Sequence, residues 1–136
     1  MGGTVDQTYN PNSTNAQSGV AIAEAGFQTV QEIQRLSTGA IPLVKEKSIY
    51  ILTVNAPTTI TFDTTNIGTL TSSQSYTFEL HLEMYDAVYS LDFSSIPSLS
   101  WQDDEAPNLS ETGYYRLAFQ TIDGGISWNG NLQGVW

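Results

Sequence analysis

Ser75 to Tyr85, SYTFELHLEMY, decides the fold. Tyr76, Phe78, Leu80, Leu82 and Met84 fall on one side of an extended chain, and Thr77, Glu79, His81, Glu83 and Tyr85 fall on the other. Period-two alternation of this length predicts a strand with one face in a core and one face in water. Working outward, Ser48–Val54 (SIYILTV) reads as a strand with little polar character, and Thr58–Phe62 alternates. Val88–Phe93 follows Asp86-Ala87, which predicts a hairpin back onto the central strand. Tyr114–Ile122 is a further strand. Asp123-Gly124-Gly125 then supplies the positive-φ positions of a tight turn, and Ile126–Leu132 returns. Short strands between turn signals predict a mainly β domain over residues 40–136, an antiparallel β-sandwich or jelly roll. Trp101, Trp128 and Trp136 read as core or subunit-interface anchors.

The N-terminal part reads differently. Residues 1–13 are polar and turn-rich, a linker. Thr14 to Ser37 has the pattern of a helix. Thr14 with Gln17 fits a capping box, Gly39 sits where a left-handed cap would fall, and Pro42 stops continuation. Ala16, Val20, Ala23, Phe27 and Val30 follow spacings of four and three, a heptad seam that Gln34 continues as a polar layer. Ile22, Ile33 and Leu36 widen the apolar face. Gly19 and Gly26 each weaken the helix by about 1 kcal/mol relative to Ala. Such a helix packs either on its own β domain or on copies of itself. The small residues Ala16 and Ala23 and the polar Gln34 favour a bundle, so residues 14–39 are expected to form a trimeric, coiled-coil-like stem.

Charge narrows the partners. The 136 residues carry 4 basic and 14 acidic side chains, a formal net charge of -10. That balance repels phosphate backbones and anionic bilayers, so neither nucleic-acid binding nor membrane insertion is expected. Cysteine is absent, which excludes a disulfide framework and thiolate chemistry. No apolar run is long enough to span a bilayer. The start, MGGTVDQTYN, lacks the regions of a secretory signal peptide. The chain either leaves the cell without classical secretion or is a piece of a longer one with Met1-Gly2-Gly3 added.

Candidate chemistry is sparse. His81, the single histidine, shares a predicted strand face with Glu79 and Glu83, a spacing open to a metal but commoner on a plain solvated strand. Asp103-Asp104-Glu105 is a carboxylate run without the alternating spacing of a calcium loop. No pair of acids is marked as a glycosidase pair, and no nucleophile elbow, phosphate loop or zinc-ligand spacing occurs. No cofactor, metal or catalytic residue is therefore expected. Tyr85, Tyr89, Tyr114, Tyr115 and Trp101 offer faces for stacking on sugar rings, or simply fill a small sandwich. The binding candidates are Tyr85, Tyr89 and Trp101 with the acids Asp103, Asp104 and Glu105.

Val5 to Gly26, VDQTYNPNSTNAQSGVAIAEAG, resembles a linker-helix motif of fibre and appendage proteins in tailed bacteriophages and prophages. Tyr76–Leu80 (YTFEL), Trp101–Pro107 (WQDDEAP), Asn108-Leu109-Ser110 and Phe119–Gly130 (FQTIDGGISWNG) resemble the β module at such fibre ends. Asp103-Asp104-Glu105 is more acidic than that module would have. The resemblance covers most of the chain. It implies a non-enzymatic, homotrimeric virion component, extracellular after release. Its partners would be itself, other virion proteins through the N-terminal side, and a host-surface glycan or protein met by the distal β domain; decoration of a capsid is the other role implied. A standalone carbohydrate-binding module and a polysaccharide depolymerase fragment are the competing expectations.

Overall fold

A computed structural model describes residues 31–136. The linker 1–13 and the stem residues Ala16, Val20, Ala23, Phe27 and Val30 lie outside them. The described unit, Gln31–Trp136, is mainly β. Its strands are β1 (Glu32–Leu36), β2 (Ala40–Val44), β3 (Lys47–Thr53), β4 (Thr58–Thr59), β5 (Thr61–Asn66), β6 (Tyr76–Met84), β7 (Leu91–Asp92), β8 (Leu99–Trp101), β9 (Gly113–Thr121) and β10 (Trp128–Val135), with one 3₁₀ turn at Gln102–Asp104.

Six strands form the main sheet in the order β8-β10-β9-β6-β3-β1. The alternation of the central strand is realised in full: Tyr76, Phe78, Leu80, Leu82 and Met84 are buried, and Thr77, Glu79, His81 and Glu83 face outward. β9 answers it antiparallel, with Leu117 opposite Leu80 and Phe119 opposite Phe78. Its Tyr115, Leu117, Phe119 and Thr121 extend the buried face. On the other flank β3 places Tyr50 and Leu52 beside Leu80 and Leu82. Two short parallel pairs, β2 with β5 and β4 with β7, stand apart from the main sheet. Ile41, Leu43, Ile60, Ile67 and Ile96 from these pairs and their connections join the inner face in one core. Phe62 is the centre of an aromatic knot, its ring 5.0 Å from Phe78 and from Phe119 and 4.9 Å from Trp128. Each such pair contributes about 0.5–1.5 kcal/mol beyond its buried area. Two phenols anchor the end of β2: the Val44 amide donates to Tyr50 Oη at 3.0 Å, and Tyr76 Oη donates to the Val44 carbonyl at 3.0 Å. Burial raises the Tyr76 hydroxyl pKa far above its ordinary value, so it stays a donor.

Three expectations are corrected. The predicted helix does not reach Ser37: Gln34 lies in β1, which pairs parallel to β3 with Gln34 opposite Tyr50 and Leu36 opposite Leu52. Gln34 is therefore no heptad layer, and residues 32–36, expected within the helix 14–39, belong to the β unit that begins at Gln31. The short run EIQRL fits either period, and pairing with a strand distant in sequence settles it. The sheet is also mixed rather than antiparallel, because β1–β3, β3–β6 and β8–β10 are parallel. Finally, Val88–Phe93 makes no hairpin with β6. It yields the two residues of β7, which pair with β4.

Other readings hold. Gly124 (φ 72°) and Gly125 (φ 93°) take the left-handed conformation in the turn from β9 to β10. Trp128 is buried and Trp101 packs against the core, whereas Trp136 is 66% exposed.

Candidate functional site

Trp101 is placed by an edge strand. It lies opposite Gly130 of β10, and that glycine is required there. A Cβ at Gly130 would come within 2.8 Å of Phe119 and 2.9 Å of Trp101, so its absence lets both rings lie against the backbone. Phe93 meets Trp101 edge to face, 5.4 Å between ring centres. Tyr89 is held by its amide, which donates to Met84 Sδ at 3.4 Å. Residues 88–93, Trp101 and the loop after the 3₁₀ turn line an open cleft of about 630 Å³. Its walls are Tyr89, Leu91, Phe93, Trp101, Pro107 and Leu109, and its polar groups are Ser90, Asn108 and Ser110. Asn108 caps its own loop, accepting the Ser110 amide at 3.1 Å.

The acidic run borders this cleft. Asp103 (φ 59°) and Asp104 (φ 56°) both adopt the left-handed region, which aspartate tolerates better than most residues. The turn closes through the Glu105 amide on the Gln102 carbonyl at 3.2 Å and leaves all three carboxylates exposed. Asp103 and Glu105 line a second hollow of about 380 Å³, which shares Ala106, Pro107 and Asn108 with the first. Asp104 lines neither.

Of the six binding candidates, Tyr89 and Trp101 thus come together, with Asp103 and Glu105 next to them. Tyr85 does not join them. It is exposed on the outer face of the main sheet, its ring 6.5 Å from Tyr114. Leu91, Phe93, Pro107 and Leu109 were not singled out from the sequence. Apolar residues clustered in turn-rich connections were the available signal, because a loop has no core of its own to fill.

His81 is shielded rather than solvated, its side chain 12% exposed. Its Nε2 meets Glu79 Oε1 at 2.8 Å and its Nδ1 meets the Tyr114 hydroxyl, so both ring nitrogens are engaged. Desolvation first, and the Glu83 charge second, raise the Tyr114 hydroxyl pKa. Glu83 accepts from Thr53 Oγ1 at 2.7 Å and Arg35 Nη1 at 3.3 Å. Arg116 stacks over Trp136, 5.0 Å from the ring centre.

Chemically, the cleft offers ring faces and aliphatic walls with hydroxyl and amide groups at the rim. That combination holds a ligand with an apolar face and a polar edge. Compared with family models, with curated proteins and with solved structures, the chain matches none.

Proposed function

We propose that this chain is a non-enzymatic virion component, a homotrimeric phage appendage whose β domain attaches to a neutral saccharide on the host surface. In this reading the two small sheets form the second layer of a β-sandwich head, and the part of the expected stem that precedes β1, residues 14–30, follows the linker 1–13 and provides the trimeric contact. The observation that carries the attachment role is the Tyr89–Trp101 cleft with its Ser90, Asn108 and Ser110 groups. Sugar rings present an axial C–H face to aromatic rings and hydroxyls to polar edges, which matches that lining. The net charge of -10 favours a neutral ligand over an anionic one, since like charges slow encounter.

The test is binding of the purified chain to a glycan array and to whole host cells, with mass by light scattering. A trimer that binds neutral glycans, and loses at least tenfold in affinity on Trp101→Ala, is expected. Loss of one stacking platform is worth about 1.4 kcal/mol at that ratio. A monomer with the same binding would leave a standalone carbohydrate-binding module. Turnover of a host polysaccharide would leave a depolymerase fragment. Unchanged binding by the Trp101→Ala chain would remove the cleft from the account.

A further inference from the structure

The outer face of the main sheet carries a hollow that the cleft does not explain. Its floor is Ala118, at the middle of β9. Ala118 pairs with Glu79 on one side and Asn131 on the other, and two residues along Gln120 pairs with Thr77 and Asn129. Strands lie about 4.8 Å apart, and same-face neighbours on one strand about 7 Å apart. One methyl group surrounded by longer side chains therefore leaves a pit about as large as a pyranose ring, and the hollow measures about 370 Å³. Gln133 closes its remaining side.

The side chains that ring the pit are mostly polar, with carbon surface from Ala118 and Phe119 between them, and two pairs are prearranged. Glu79 Oε1 is held by His81 Nε2 at 2.8 Å, which leaves its second oxygen for a ligand. Gln133 donates its amide to Asn131 Oδ1, fixing that pair. Around the pit stand amides from Gln120, Asn129, Asn131 and Gln133, one hydroxyl from Thr77 and a single carboxylate. Amides both donate and accept, as vicinal hydroxyls do. One carboxylate repels an anion and is too few for a cation that wants six to eight oxygens. The chemistry fits a neutral polyhydroxylated ring.

Position gives the pit its meaning. Asn131 also lines the hollow bordered by Asp103 and Glu105, and that hollow shares Ala106, Pro107 and Asn108 with the Tyr89–Trp101 cleft. We infer that the three neighbouring hollows form one extended site, with the Ala118 pit as a second sugar subsite, so that the ligand is a neutral oligosaccharide chain rather than a single terminal sugar. This rests on the saccharide reading of the cleft and extends it.

The experiment titrates the full chain with ladders of one to six units built on glucose, galactose and N-acetylglucosamine, following side-chain amide signals by NMR alongside affinity. Affinity is expected to rise at least tenfold from the disaccharide to the hexasaccharide, and the Asn131 and Gln133 amide signals to move with the longer members alone. Ala118→Leu fills the pit on a face away from the core. It should abolish the gain with length and leave the disaccharide affinity unchanged, and Gln120→Ala should lower the gain without filling anything. Binding that depends on Trp101 but is flat beyond the disaccharide, with Ala118→Leu silent, overturns the extended site and leaves the cleft standing. Failure of every ladder to bind overturns both.

Discussion

The two faces of the main sheet are made by the same strands and obey opposite rules. On the inner face of β6 and β9, Phe78, Leu80, Leu82, Leu117 and Phe119 are each 1% exposed or less and interlock with residues from outside the sheet. On the outer face, Glu79, His81, Glu83, Arg35, Thr53 and Tyr114 satisfy one another through hydrogen bonds along the surface. Burial of apolar area drives the first arrangement. The second adds little net stability, since exposed ion pairs such as Arg35–Glu83 are worth about 0.2–1 kcal/mol. What the outer groups gain is fixed geometry.

Adjacent residues make the sharpest contrast. Phe78 touches Tyr50, Phe62, Tyr76, Phe119 and Trp128, while its neighbour Thr77 points outward and is exposed. Phe78→Ala should destabilise the β domain by about 3–5 kcal/mol through lost transfer energy and a cavity. Thr77→Ala should fall within about 0.5 kcal/mol of the parent. Urea unfolding of both variants measures this, and comparable losses would break the division between the faces.

How much was legible follows from the same contrast. The inner face announces itself because alternation is local: Tyr76 to Met84 and the β9 pattern can be read without a partner. The β1 strand could not be read, because Gln34 and Leu36 take their places from β3, more than ten residues on, and the run satisfies a helical seam equally well. The parallel crossovers were hidden for that reason too. In the cleft, Tyr89 and Trp101 stood out as aromatics in turn-rich segments. The Ala118 pit had no signal at all, since an alanine becomes a floor only through the register of three strands.

A smaller effect sharpens the comparison at the turn that carries β9 into β10, a segment belonging to neither face. Both glycines hold positive φ, but their surroundings differ. A Cβ at Gly124 meets no described atom within 4 Å, whereas one at Gly125 would lie 2.7 Å from Thr64 Cγ2. Gly124→Val should cost about 1–2 kcal/mol from backbone strain alone. Gly125→Val should cost more, and Thr64→Ala should recover part of the excess. Equal melting midpoints for the two valine variants would show that contact with Thr64 is immaterial.

The smallest effect concerns a carboxylate that, unlike the outer-face charges, is bound into the backbone. Asp123 accepts from the Ser127 amide at 3.0 Å, from the Ser127 hydroxyl, and from Thr121 Oγ1 at 2.8 Å. The Ser127 bonds first, then Thr121, lower its pKa from 3.8 to about 2. A pKa depressed on folding means that the unfolded chain binds the proton more readily. The stabilisation is therefore fully present above the unfolded value of 3.8 and is lost as pH falls through about 2. Asp63 and Asp92, whose pKa values are lowered by bonds from Thr65 and Ser94, add to the same acid limb. Asp123→Asn keeps one acceptor oxygen and removes the charge, so it should be less stable than the parent at about pH 5 and nearly equal to it at about pH 2. Melting midpoints at the two pH values give the comparison. A gap of the same size at both would mean that the charge of Asp123 contributes nothing, and that its turn is held by hydrogen-bond geometry alone.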